Sequence, residues 1–278
     1  MKPQSMLFTI YGEYVRHYGG EIWVGSLTRM LGEFGLSEQA VRVAISRMVS
    51  QGWLVAHKAG NRSFYSMTPR GKKRLDEAGE RIYKETAPSQ WNGKWCIATY
   101  NIPEKQRQLR DQFRKDLMWM GFGMLANSVW ISPIDLSESV KDVTRTYKME
   151  EFVEVFTAEH LGFADHKHLV EKCWNLNEIN QSFEAFIQQW RPQYEQFLQN
   201  VERNEPIADS FCFVEKTKLV HEYRKFLFID PGLPAELLPD YWMGAEADVL
   251  FREYYALLDP GAIRYFLSVF ETAPKLTK

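Results

Sequence analysis

The stretch from residue 37 to residue 71 reads SEQAVRVAISRMVSQGWLVAHKAGNRSFYSMTPRG, and its cations are spaced to grip an anion. Val41, Ala44, Ile45 and Met48 recur at helical spacing and turn inward, so Gln39, Arg42, Val43, Ser46 and Arg47 share the opposite face. A guanidinium is a rigid fork that meets two phosphate oxygens, or the O6/N7 edge of guanine, through paired hydrogen bonds. Lys58, Asn61 and Arg62 gather around a Gly-Asn turn, where cations reach sugar-phosphate backbone or a minor groove. The pattern predicts contact with double-stranded DNA. The alternative is a protein-interaction module whose arginines are simply solvated.

Such residues need a capped helix and a hairpin to hold them. Ser37 is a good N-cap and, at the end of the helix that meets DNA, a further candidate DNA contact, Glu38 in the first turn suits the helix dipole, and Gly52 stops the helix. WLVAHKAGNRSFYSM then reads as strand, turn, strand with Gly60 and Asn61 at the tip. Upstream, TIYGEYVRHYGGEIWVGSLTRMLGEFGL supplies an aromatic-rich helix, a short strand at Glu21 to Val24 and a second helix from Ser26 to near Gly35. Three helices with a terminal hairpin predict a winged helix-turn-helix DNA-binding domain over residues 1–88, with the third helix entering the major groove. TPRGKKRLDEAGERIYKETAP continues as a charged helix whose Lys72, Lys73 and Arg74 either touch phosphate or form a solvated face, and Pro88 marks the boundary.

Beyond it, WNGKWCIATYNIPE reads as a buried strand, followed by a helix from about Glu104 to Met120, two short strands around an Asn-Ser turn, a helix at SESVKDVTRTYK and a last strand at EFVEVFTAEHL. The order βαββαβ predicts a ferredoxin-like middle domain over residues 89–160, a topology that hosts many functions. Residues 161–278 read as a mainly helical C-terminal domain, with IDPGLPAELLPDYW as a Pro-rich connection and the aromatics of FEAFIQQWRPQYEQFL as core or dimer seam. The fold class predicted is α+β.

The chain has 278 residues and an apolar fraction of 45%, enough to fill the cores of two or three domains. Its formal charge is only -2, but residues 1–90 carry 13 Lys/Arg against 8 Asp/Glu, net +5, which leaves 21 against 28, net -7, for the rest. A basic N-terminal module suits a polyanion. The opening lacks secretory-signal zones and no long uncharged apolar stretch occurs, so the expectation is a soluble cytoplasmic protein with no membrane partner. Cys96, Cys173 and Cys212 form no CxxC pair, which argues against a disulfide framework. His160, His166, His168 and Cys173, with Asp165, lie close together, but their spacing matches no standard zinc pattern and favours exposed or capping histidines. There is no GxSxG elbow, P-loop or GxGxxG, so no catalytic residue, no metal and no cofactor is predicted.

The strings GGEIWVGSL, GNRSFYSMTPRG, WNGKW, MWMGFG, WNLNEINQSFEAFIQQWRP and HEYRKFLFIDPGLPAELLPDYWMGAEA, in order from about Tyr11 to Phe270, resemble the PaaX-type regulators, repressors of phenylacetic-acid degradation operons. The resemblance implies a homodimeric transcriptional repressor on a partly palindromic promoter site, released by phenylacetyl-CoA, and not an enzyme. It also implies a middle domain similar to the CRISPR-associated ferredoxin-like endoribonucleases. Those carry a metal-binding aspartate at the end of the first strand, where this chain reads IATYNIPE with Asn101 and no nearby Asp. The alternative function is a metal-dependent RNA-processing nuclease with a winged-helix targeting arm, which would need divalent metal and would cleave.

An acyl-CoA effector needs cations for its phosphates and an apolar aromatic pocket for its acyl group. HEYRKFLF sets His221, Arg224 and Lys225 within about a helical turn of Tyr223 and Phe226, Trp242 follows closely, and Arg191 in QWRP is a further cation. The alternative is that Arg224 pairs with an acidic core neighbour while the aromatics pack.

Overall fold

The structure, a computed structural model, describes residues 2–83 and 90–273. The fold is α+β, with two antiparallel sheets. By its contacts the chain divides into two compact units: Met1–Lys84 with Phe186–Arg224 and Glu246–Lys278, and Glu85–Ala185 with Lys225–Ala245. Pro88, the boundary suggested by the sequence, lies outside the described residues.

The first unit opens with α1 (Pro3–Glu13), β1 (Glu21–Trp23), α2 (Val24–Gly32) and α3 (Glu38–Ser50). The second helix begins at Val24 rather than Ser26, because Trp23 is still extended and caps it, and Ser26 is fully buried inside it. Ile10 of α1, Leu27 and Met30 of α2, and Val41, Ile45 and Met48 of α3 are almost wholly buried together with Phe64. The helical spacing of those apolar residues, paid out on one face each, explains why the three helices form around one core. β2 (Leu54–Ala59) and β3 (Arg62–Met67) make the hairpin, in which Ala59 faces Arg62 across a two-residue loop and Gly60 takes φ +59. β3 is central in the sheet order β1-β3-β2, and α4 (Pro69–Tyr83) follows.

The second unit holds β4 (Lys94–Tyr100), α5 (Arg107–Met120), β5 (Gly123–Ala126), β6 (Val129–Ser132), α6 (Ser137–Tyr147) and β7 (Val153–Glu159). All its pairings are antiparallel, in the order β5-β6-β4-β7. Phe113 and Leu117 of α5 and Val140 of α6 pack against Ala98, Tyr100 and Trp130 of the sheet, which explains the helical spacing of the first two. Glu104–Gln106, expected to open α5, form a separate 3-10 turn. α7 (His166–Cys173) comes next.

Three long helices complete the chain: α8 (Leu176–Glu202), α9 (Asp209–Tyr223) and α10 (Gly244–Val269). α9, most of α10 and the second part of α8 belong to the first unit, in the same compact body as α1 to α4. A buried ionic knot joins them. Lys216 of α9, 1% exposed, lies 2.7 Å from Glu13 of α1 and 2.5 Å from Asp259 of α10. The phenol of Tyr255 donates to Glu13 at 2.5 Å, and that of Tyr83 on α4 donates to its other oxygen. A charge this deep is tolerated only when paired and hydrogen-bonded, and each partner here supplies the others. No helix among the described residues is long and apolar enough to cross a membrane.

Candidate nucleic-acid interface

Local sequence explains why α3 stands where it does. Ser37 Oγ accepts from the Ala40 N–H at 3.3 Å, so its hydroxyl is committed to the cap. Gly52, at φ +72, reverses the chain at the other end, and the Trp53 N–H donates to Met48 O at 2.8 Å. Between the two ends, Gln39, Arg42, Val43, Ser46 and Arg47 are all exposed, and Val43 holds an apolar side chain 46% in water. A depression of about 530 Å³ runs along Glu38, Gln39, Arg42, Val43 and Ser46, and one of about 210 Å³ is lined by Arg42, Ser46 and Val49 of α3 with Ala56 and Tyr65 of the hairpin. Arg42 is not loose: its Nη2 and Nε lie 2.6 and 2.7 Å from the same oxygen of Glu38, one turn earlier. Arg47 has no side-chain partner among the described residues.

The hairpin divides its three candidates. Lys58 and Asn61 are exposed at the tip and point no charge into the body. Arg62 is turned back: its guanidinium lies 4.6 Å from the centroid of the Trp23 ring and pairs with Glu271. Lys72 and Lys73 of α4 are exposed, whereas Arg70 lies over Trp53 at 4.2 Å. Two acidic partners therefore escaped the sequence reading. Glu38 was detectable as the residue one helical turn before Arg42. Glu271, 209 positions from Arg62, left no local signal.

Residues 2–71 match the family model described as PaaX-like protein, residues 88–170 the PaaX protein central Cas2-like domain, and residues 174–268 the PaaX-like protein C-terminal domain. The chain is 34% identical over 272 residues to the transcriptional repressor PaaX of Escherichia coli K12, covering 97% of this chain and 84% of that one. The chain belongs to the PaaX family. This is a family of transcriptional regulators rather than enzymes. Its fold is similar to that of the uncharacterized protein Rv0674 from Mycobacterium tuberculosis, at a TM-score of 0.52 and 23% identity over 86% of this chain and 89% of that one.

The two compact units divide the six effector candidates of the C-terminal region into two groups. Arg191, His221, Tyr223 and Arg224 belong to the first unit, Lys225 and Trp242 to the second. In the first group each polar head already has a protein partner. Arg191 lies 2.5 Å from Glu246, His221 Nδ1 is 3.0 Å from Thr9 Oγ1, and the Tyr223 phenol donates to Asp248 at 2.9 Å. Tyr223 also stacks on Phe251 with ring centroids 3.9 Å apart. Arg224 donates to Ser5 O at 3.0 Å, and burial holds its guanidinium below the usual arginine value. In the second unit Lys225 is exposed, and Trp242 meets Phe183 edge-on at 5.4 Å.

The histidine-rich stretch is used for packing and capping. His166 sits edge-on to Trp91 at 4.7 Å and takes a 3.4 Å contact from Trp95 Nε1, with the His160 ring 5.6 Å away. Asp165 caps α7 by accepting from the His168 N–H at 2.8 Å. Burial pushes the Cys173 thiol up to about 11, which keeps it protonated. At the end of β4, the Asn101 N–H donates to Phe152 O at 2.9 Å.

Proposed function

We propose that this chain is a ligand-released, DNA-binding repressor of phenylacetate catabolic genes, acting in the cytoplasm as a homodimer on a partly palindromic operator. The observation that carries the reading is the bare face of α3: five side chains in water on one side, four buried on the other, with two guanidinium groups among the five. Helices α1 to α3 with the β2–β3 hairpin support a winged helix-turn-helix in which α3 lies in the major groove. There Arg42 and Arg47 serve as forks to guanine or phosphate, Gln39 and Ser46 as polar readers, and Val43 as an apolar contact for a thymine methyl. Lys58 and Asn61 at the wing tip meet backbone, and the order β5-β6-β4-β7 supports a ferredoxin-like middle domain.

Phenylacetyl-CoA is the inducer in this reading. To weaken operator binding a hundredfold it must couple unfavourably by about 2.7 kcal/mol, within the usual range for allosteric effectors. The test is fluorescence anisotropy of the purified protein on DNA upstream of its neighbouring catabolic genes, titrated with phenylacetyl-CoA, phenylacetate and CoA. Release by phenylacetyl-CoA alone is the expected result. Binding that ignores all three would refute the inducer, and absence of sequence-preferring binding would refute the repressor reading itself.

A further inference from the structure

The segment that follows α10 meets the DNA-binding module through the Phe270 ring, 6.1 Å from that of Tyr18, and through three contacts of Glu271. The Glu271 N–H donates to Ser26 Oγ at 3.1 Å, its carbonyl accepts from the Trp23 N–H at 2.8 Å, and its carboxylate pairs with Arg62 at the base of the wing. Trp23 adds a third side to the enclosure by lying under the same guanidinium. The two backbone-level contacts fix where Glu271 sits, so its side chain is free to do something other than hold the segment down.

We propose that Glu271 is a positioning residue for the wing: it withholds Arg62 from DNA in the free protein, and Arg62 reaches a phosphate only when that pair opens. This rests on the reading of the α3 and hairpin surface as a DNA interface. A carboxylate and a phosphate oxygen compete for the same guanidinium N–H groups. While Glu271 holds them, the pair is close to neutral and adds little to the positive field that draws DNA. Arg62 and Glu271 remain 54% and 38% exposed, and an ion pair that wet is weak enough for a phosphate to displace. The other end of the strap is α10, which carries Asp259 and Tyr255 of the buried knot. A displacement of α10 would therefore reach the wing through Glu271.

The experiment is a double-mutant cycle on the full chain, read by DNA affinity across a salt series. Glu271→Gln keeps both backbone contacts and removes only the charge, and an unchanged melting temperature certifies that the strap still docks. It should tighten operator and non-operator DNA alike by roughly threefold, the cost of opening one exposed ion pair before Arg62 can meet a phosphate. Arg62→Ala should then cost several-fold more in the Glu271→Gln background than in the native chain. Equal cost in both backgrounds, or an unchanged DNA affinity in Glu271→Gln, would overturn the proposal while leaving the DNA interface standing. If Arg42→Ala and Arg47→Ala also leave binding untouched, the interface reading fails and the role of Glu271 falls with it.

Discussion

Arg42 and Arg47 sit five residues apart on the same exposed face, and the proposed DNA interface assigns them different tasks. Arg42 is oriented by Glu38 through two nitrogens, although the pair is 57% and 60% exposed and as displaceable as that of Arg62. A preorganised fork favours a base edge, which demands fixed geometry, over a phosphate, which accepts many. Arg42→Ala should therefore cost about 1–3 kcal/mol on operator DNA and far less on non-operator DNA. Arg47, with no such partner, should lose affinity evenly on both and lower the salt slope by about 0.9. Parallel losses on the two DNAs for Arg42→Ala would contradict this division. The exposed face itself was legible in the sequence, because four apolar residues at helical spacing leave the other five no place but outside. The commitments of individual polar groups were not legible. That Arg191 meets Glu246, Arg224 meets Ser5 and Arg62 meets Glu271 depends on which distant helix arrives beside each, and no local pattern encodes that.

Among the elements, α3 and the hairpin after it were the best determined by sequence, because their boundaries are written in caps and turns. The turn between them depends on Gly52, whose φ of +72 is a conformation L side chains resist, although a Cβ there would touch nothing within 4 Å. With no clash to relieve, Gly52→Ala isolates the backbone cost, about 1–2 kcal/mol. A lower urea midpoint with an unchanged slope is expected, and an unshifted midpoint would mean the turn relaxes to another conformation. β1 and α2 were placed less well. The strand stops at Trp23 and the helix starts at once, because α2 buries Val24 and Ser26 in the core and Ser26 is occupied by Glu271 from the far end of the chain. In β4, Cys96, Ala98 and Tyr100 face α5 and α6, whereas Trp95 alternates to the other face and meets Trp91 and His166.

At the scale of the molecule, the segmentation read from the sequence and the compaction in space cut the chain differently. The sequence marks a break near Pro88, but α9 and much of α10 share a core with α1 to α4, tied by Lys216, Glu13 and Asp259. Nothing in the local periodicity of α9 announces this, because a lysine at a buried position reads as a polar interruption until its carboxylates are found. The same knot makes a pH prediction. Tyr11, Tyr14, Tyr83, Tyr254 and Tyr255 all have phenol values raised above the ordinary 10, first by burial and, for Tyr83 and Tyr255, also by donating to Glu13. A raised acid keeps its proton in the folded state after the unfolded chain has lost it. The stability it contributes is therefore complete below the unfolded value and drains away as pH climbs above it. Each such phenol costs about 1.4 kcal/mol per pH unit past that point, so several together make alkaline unfolding steep. Urea midpoints should fall sharply above pH 10, and a fraction of the tyrosinate absorbance should rise only with the loss of helical signal. Complete phenol titration in a chain that keeps its helices would show that α9 and α10 do not seal these tyrosines against α1 and α4.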